Sequence, residues 1–330
     1  MPRKPKSVSA ATDDRLKLIE ALKFASIATK DSEGMQAFVS IKDNWLLAEN
    51  ETFTVGIPVD VAIELCPHAE QFQAALQQCG AQFQLTQVDT KALSIKSGNF
   101  RALVPAIDTP TLTLAPDPPC AAINNALSEA FKSCIGFMSK GEQVINTSVL
   151  LRSCTMTATN GAMLIEYWHG IDLPGPLNIP RKTVETVIKV GKPLAQFGFS
   201  LSTVTFYFDD GSFIKTRLNA GEYPNVEPLF RAVLGPFSLV WPEFFVALKA
   251  IAAFVQNDCV FFHDNFLASH QSLDLGANYR VEGLPGGHLF SAVYWRTLEP
   301  YVKAVCIADP SKPFAFMGDH ARGLIIGKTI

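Results

Sequence analysis

The chain has 330 residues, 48% of them hydrophobic and 18% charged, with a formal net charge of −3. That length suits two or three domains, and the apolar content excludes a disordered chain. The slight acidity argues against a uniformly basic nucleic-acid binder, so any contact with a polyanion must come from local charge.

The N-terminal stretch MPRKPKSVSAATDD is basic and polar, with no apolar run after it, and reads as a flexible tail over residues 1–13 rather than a secretion signal. Amphipathic helices are predicted over 14–27 (Leu16, Ile19, Leu22, Phe24), 68–79 (Phe72, Ala75, Leu76) and 121–137 (Ile123, Leu127, Phe131, Ile135). Three more are predicted over 180–190 (Val184, Val187, Ile188), 242–255 (Phe245, Leu248, Ile251, Ala252) and 291–305 (Val293, Tyr294, Leu298, Tyr301, Val302). Short β-prone runs follow the first helix at 36–41, 45–48 and 53–57, and the second at 82–88, 92–95 and 100–104. Others fall at 153–158, 163–167, 201–208, 213–218, 260–263, 266–269, 279–284, 314–317 and 323–326. Six helix-plus-strands units over this length give an internal period of about 50 residues.

Pro/Gly-rich joints at 108–119 and 221–236 divide the chain into a first domain over 14–109, a second over 110–230 and a third over 231–330. The fold class is α+β. In each domain two helices lie on one face of antiparallel sheets, built from paired β-α-β-β-β units. The clearest unit runs from Asn178 to Phe230. There a strand ends at Ile179, Pro180 opens a helix bearing Arg181, Lys182 and Lys189, and three strands follow, with a turn at Asp209-Asp210-Gly211.

No catalytic or cofactor pattern emerges. Gly323 to Thr329 (GLIIGKT) is one residue short of a phosphate-binding loop and has no helix after it. His263, Asp264 and His270 lack further metal-ligand spacing. Asp209 and Asp210 fit a hairpin turn better than a catalytic pair. Gly283 to His288 is a loop without nucleotide-binding context. The seven cysteines are scattered, with no C-x-x-C, as expected of thiols in a reducing compartment. No apolar run reaches the roughly 18 residues needed to cross a bilayer. A soluble cytoplasmic protein without metal, cofactor or enzyme activity is expected.

Thr159-Asn160-Gly161 with Met163-Leu164, then Ile179-Pro180-Arg181-Lys182, then Phe213-Ile214, Thr216 and Leu218, then Gly221-Glu222-Tyr223-Pro224 resemble, in order and spacing, the middle domain of bacterial sliding clamps of the DNA polymerase III beta-subunit family. The similarity is good over 148–236, looser from Leu239 onward and faint before Pro119. It marks a divergent member, of the kind a phage or mobile element would carry. The resemblance implies a homodimeric ring of head-to-tail chains around duplex DNA, bound without sequence preference. It also implies a processivity factor that tethers a replicative polymerase, is opened by an ATP-driven clamp loader, and recognises both partners through short peptide motifs.

On that resemblance Arg15, Lys17, Lys23, Lys132, Arg181, Lys182, Lys189, Lys249, Arg296 and Lys303 would face DNA. The six predicted helices, with the fourth segment counted through Lys192, sum to +4, which leaves −7 for the rest of the chain, so the sign suits phosphate contacts. Ordinary solvated helix faces would give the same pattern. The resemblance also implies a partner-peptide cleft walled by Thr159, Gly161, Met163 and Leu164 on one side, and by Pro236, Ile326 and Ile330 on the other. Here Ala162-Met163 replaces the family's His-Arg, and the final Gly-Lys-Thr-Ile replaces Met-Pro-x-x-Leu, which suits a different partner motif. Phe254 and Val255 would meet the strand bearing Phe100 and Ala102 in the ring contact. The cleft residues are equally compatible with plain β-core, and Phe254 with its own domain's interior. A monomeric clamp-fold scaffold, or an unrelated α+β enzyme, are the competing readings.

Overall fold

The computed structural model describes residues 7–10, 12–30, 32–89, 91–108, 115–141, 146–233, 235–307 and 313–328. By compactness the chain divides into two units, one of residues 1–128 and 185–218, the other of 129–184 and 219–330. Among the described residues seven α-helices occur: α1 Thr12–Thr29, α2 Ala69–Gln78, α3 Asn125–Cys134, α4 Arg181–Val190, α5 Glu227–Ala232, α6 Phe244–Ala250 and α7 Ala292–Leu298. The division between units passes through α3 and α4.

In the first unit α1 lies against α2 and the strands Trp45–Glu49 and Phe53–Pro58. Its buried stripe is Leu18, Ala21, Leu22, Ala25 and Ala28, the i, i+3/i+4 set that one helix face presents. Leu16, expected in that stripe, is 49% exposed. Phe24 lies off it and is buried instead, edge-on to Phe208 at 5.9 Å. The helix has apolar contacts on two sides, so periodicity alone mis-phased it.

Two antiparallel sheets complete this unit. One runs in the order Ser7–Ala10, Phe83–Gln87, Ala92–Ser97, Phe100–Ile107, Cys66–Pro67. Ser7–Ala10, expected to be a flexible tail, is therefore a strand, held by its backbone ladder to Phe83–Thr86. The other sheet runs Ser40–Lys42, Trp45–Glu49, Phe53–Pro58, Phe213–Arg217, Thr203–Phe208, Leu194–Phe199, Pro119–Ala122. It joins strands from the first third of the sequence to strands beyond Leu194 through the pairing of Phe53–Gly56 with Phe213–Thr216.

The segment before Pro119 is fastened from beneath. Asp117 and Lys215, both almost fully buried, form an ion pair at 3.1 Å. Asp117 also accepts hydrogen bonds from the Thr203 and Thr205 hydroxyls at 2.9 Å, and Lys215 donates to the Ala115 carbonyl at 2.6 Å. Burying two charges is tolerable only with this degree of satisfaction.

In the second unit an eight-stranded antiparallel sheet runs Leu177–Pro180, Ser148–Leu151, Thr155–Thr159, Met163–Trp168, Ala321–Ile325, Phe314–Met317, Ala304–Cys306, Ser238–Leu239. A four-stranded sheet runs Asn278–Arg280, Phe266–Ala268, Cys259–His263, His288–Ser291. An aromatic core joins Phe244, Phe262, Phe290, Trp295 and Phe314. Trp295 stacks on Phe314 at 4.8 Å and meets Phe244 at 4.5 Å.

Several element boundaries differ from the sequence expectation, each for a local reason. α3 begins after Asn124, whose side chain accepts from the Ala126 N–H at 2.8 Å, and Pro119–Ala122 is a strand instead. α7 stops at Leu298, before Pro300, where the expected helix ran on to 305. α6 ends at Ala250, and a 3-10 turn, Ala252–Phe254, replaces its last residues. α5 lies where a Pro/Gly joint was expected, because Pro228 is tolerated in a helix's first turn. A 3-10 turn, Gly34–Ala37, precedes the short strand Ser40–Lys42, where 36–41 was expected to be strand.

Candidate nucleic-acid interface and peptide cleft

The helix-borne cations divide into three groups. Lys17 and Lys23 on α1, Lys182 and Lys189 on α4 and Arg296 on α7 are exposed. Lys23 borders a groove between α1 and α2 that also carries Ser26, Thr29, Lys30, Gln73 and Gln77, with Glu70 as the acidic group in its lining. A second group is likewise exposed, and its ion-pair partners are known. Lys132 pairs with Glu129 at 2.7 Å, and Lys249 pairs with Glu299 of the segment after α7. Lys303 pairs with Asp319 and sits beyond the end of α7, so its expected place on a helix is corrected. Such exposed pairs contribute little stability but lower the local positive potential.

The third group is structural. Arg15 donates to the carbonyl of Cys79, just past the end of α2. Arg181 donates to the carbonyls of Ile135 and Met138 at 3.1 and 2.8 Å, covering acceptors at the end of the α3 segment. These two guanidiniums hold backbone together. Each is partly exposed and commits one guanidinium nitrogen to these carbonyls.

Four of the cleft candidates meet in one hairpin. Thr159 and Met163 flank a turn in which the Asn160 side chain accepts from the Ala162 and Met163 N–H groups at 3.0 and 2.7 Å. Gly161 holds φ +88°, a backbone region closed to most side chains. The Thr159 hydroxyl donates to the Met163 carbonyl at 2.8 Å. Ile326 comes to the same turn, its N–H donating to the Ala162 carbonyl at 2.9 Å, and its side chain is 48% exposed. Met163 and Leu164 are buried, so they are floor rather than open wall. Leu164 belongs to an apolar cluster with Leu150, Tyr223, Val226, Cys306, Ala315 and Leu324, onto which Phe230 of α5 and Val233 pack. Pro236 is exposed. Ile330 lies outside the described residues.

A charged rim adjoins that cluster. Glu166, 5% exposed, takes Arg152 at 2.7 Å and Arg322 at 2.6 Å. Arg322 reaches Glu227 at 3.0 Å and lies 4.2 Å over the Phe230 ring. Two arginines against one buried carboxylate satisfy its oxygens, and the cation–π contact fixes α5 to the sheet. Nearby, His169 is buried and its imidazole pKa is lowered by that burial, while Nδ1 accepts from the Ile171 N–H at 3.1 Å. The buried Cys66 thiol is pushed up to about 12 by desolvation, which leaves it inert. No group of three or more metal-ligating side chains occurs among the described residues.

The ring-contact candidates occupy exposed or open positions. Phe100–Ile107 pairs with Ala92–Ser97 on one side, and on the other Ala106 and Ile107 pair with Pro67 and Cys66 while the Pro105 carbonyl accepts from the His68 N–H, which leaves Phe100–Val104 without a ladder on that side among the described residues. Phe100 and Ala102 are half-exposed on that edge, and Leu103 is 61% exposed. Phe254 is 56% exposed on its 3-10 turn, with Val255 half-buried beside it, so Phe254 is not interior. Sequence reasoning missed a second open edge, Asn278–Arg280, which among the described residues pairs only with Phe266–Ala268 and follows the exposed Leu273 and Leu275.

No protein-family model matches the chain, and no curated protein matches it. Solved structures do. The chain superposes on the Caulobacter crescentus beta sliding clamp with a TM-score of 0.81, at 15% identity, over 99% of this chain and 100% of that one. The Bacillus subtilis DNA polymerase sliding clamp gives 0.80 at 16% identity, over 98% and 99%. The Pseudomonas aeruginosa DnaN clamp bound to griselimycin gives 0.75 at 12% identity, over 99% of each. This is the sliding-clamp fold. The match runs the length of both chains, so it covers the first third of the sequence, where the residue-level resemblance was faint. No helix among the described residues is long and apolar enough to cross a membrane.

Proposed function

We propose that this protein is a DNA sliding clamp, a processivity factor that closes as a head-to-tail homodimer around duplex DNA. The observation that carries the reading is the full-length superposition on clamps from three bacteria, with TM-scores of 0.75 to 0.81. The exposed cations Lys17, Lys23, Lys182, Lys189 and Arg296 are the phosphate contacts of this reading. They carry charge and no base-specific pattern, as sliding along DNA requires. The hairpin Thr159–Leu164 with Ile326 forms the cleft for peptide motifs of the polymerase and clamp loader, and the absent His-Arg pair alters which motif it takes.

The ring closes where the open edge Phe100–Val104 of one copy meets the open edge Asn278–Arg280 of another, with Phe254 and Val255 packed beside them. Head-to-tail contacts of this kind are heterologous and close only at a fixed number of copies. The test is topological. Loaded onto a nicked circular plasmid, the protein should co-elute with DNA and be released when the plasmid is cut once. Retention that is the same on linear and circular DNA would refute encirclement and favour a scaffold.

A further inference from the structure

Asn257 and Asp258 both take left-handed backbone, with φ of 52° and 55°. Two consecutive residues in that region form a turn of the I′ kind, which Asn and Asp adopt more readily than other non-glycine residues. The turn aims both carbonyls at one point, and the Lys328 ammonium occupies it. Its Nζ lies 3.0 Å from the Asn257 oxygen, 3.0 Å from the Asp258 oxygen and 3.5 Å from the Cys259 sulfur. The Asp258 carboxylate is 3.8 Å away. The same Asp258 anchors the start of α7. Its carboxylate accepts from the Val293 N–H at 2.8 Å and from the Ser291 hydroxyl, and its carbonyl accepts from the Ala292 N–H at 3.2 Å.

Lys328 therefore ties the segment after the strand Ala321–Ile325 to a rigid corner of the fold. Between the strand and the lysine that segment has two backbone bonds, Ile326 N–H to Ala162 at 2.9 Å and Lys328 N–H to Leu289 at 2.8 Å. Both lie at an exposed margin, where isolated backbone bonds open readily. The charge-assisted contacts of one ammonium with several acceptors are the stronger tether.

We infer that Lys328 is a latch, a positioning residue that holds Ile326 against the Thr159–Leu164 hairpin so that the cleft wall is formed before any peptide arrives. The inference rests on the peptide-cleft part of the proposed function. Without the latch, the ordering of Ile326 to Lys328 is deferred to binding and weakens it.

The test compares the full-length protein with Lys328→Met, which keeps the apolar stem, and Lys328→Arg, which restores a cation. Hydrogen exchange should be faster by roughly tenfold at Ile326 and Lys328 in the Met variant, unchanged within Phe314–Met317, and restored in the Arg variant. Griselimycin, the ligand carried by the Pseudomonas aeruginosa clamp, serves as the binding probe in calorimetry. The Met variant should bind it roughly five- to twentyfold more weakly. Unchanged exchange overturns the latch, and faster exchange with unchanged affinity overturns its role in the cleft. A wild-type protein that does not bind griselimycin counts against the cleft reading, while the exchange result still decides the latch.

Discussion

Replacing Phe254 with Asp tests the ring contact most directly. Phe254 is 56% exposed in the single chain, so its folding within the chain does not depend on burying that part. A phenylalanine side chain presents roughly 200 Å² when fully accessible, so on the order of 100 Å² remains to be covered by a second copy. At about 25 cal/mol per Å², covering it contributes about 2.5 kcal/mol at each interface. A two-copy head-to-tail ring has the interface twice, so the substitution removes about 5 kcal/mol, or between a thousand- and ten-thousandfold in the dissociation constant. The buried carboxylate adds a desolvation penalty in the same direction. Sedimentation velocity at micromolar protein should therefore show a dimer for the wild type and a monomer for Phe254→Asp, the monomer still unfolding cooperatively, with its midpoint lowered only by the lost association. Leu201→Asp, at a fully exposed position outside the proposed interface, should remain a dimer. A Phe254→Asp protein that stays dimeric, or that dissociates only as it unfolds, would refute the assignment.

Three further outcomes follow from the geometry. The double variant Lys17→Glu, Lys23→Glu should leave the fold intact and shorten retention on nicked circles, with the log–log salt dependence of binding shallower by about 0.9 for each phosphate no longer neutralised; Arg181→Ala should instead lower the unfolding midpoint, because the Ile135 and Met138 carbonyls are deprived of their donor. Asp117→Ala should cost about 3–5 kcal/mol in urea unfolding, since it strands the buried Lys215 ammonium, whereas replacing both partners with apolar residues should cost much less. His169 is held below the ordinary histidine pKa of 6.5 by burial, so the unfolded chain binds the proton first. Stability from this group is present above 6.5 and falls as the pH drops below it, and a pH series of chemical denaturation should show a shallower slope in His169→Asn than in the wild type, the remainder including His288, which burial lowers likewise.

Where local chemistry decides a feature, the sequence was sufficient to find it. The strand-to-helix junction lies one residue beyond the expected Ile179/Pro180, with Pro180 closing the strand Leu177–Pro180 and Arg181 opening α4. The Asp209-Asp210-Gly211 turn is as expected. Gly211 takes φ +81°, and Asp210 pairs with Lys192 at 2.6 Å. What escaped detection depends on partners distant in sequence. Arg181 and Lys182 look alike as adjacent basic residues, yet Arg181 reaches carbonyls more than forty positions away. Lys249 and Glu299 are fifty residues apart, so their pairing could not be subtracted from the helix charge beforehand. The open edge at Asn278–Arg280 shows only when the strand order is known. α5 was hidden because three prolines in the stretch from Pro224 to Pro236 outweighed a helix of six residues.

The sheet connections bear on where such a ring would open. The seven-stranded sheet joins Phe53–Gly56 to Phe213–Thr216, and the eight-stranded sheet joins Met163–Tyr167 to Ala321–Ile325. Each ladder crosses from one expected domain into the next. Opening the first ladder would disturb the sheet that holds the Asp117–Lys215 pair, and opening the second would disturb the Glu166–Arg322 pair, each a buried charge costly to strand. Phe100–Val104 and Asn278–Arg280 are each laddered to a neighbouring strand on one side, and among the described residues no buried ion pair is tied to their other edge. On the ring reading, the intermolecular interface is the weakest closure, and a loader would act there. Hydrogen exchange on the closed dimer checks this: amides of Phe100–Val104 and Asn278–Arg280 should exchange faster on dilution below the dimer constant, while those of Phe53–Gly56 and Met163–Tyr167 stay protected. Joint loss of protection at the internal ladders would place the opening inside the chain and reverse the conclusion.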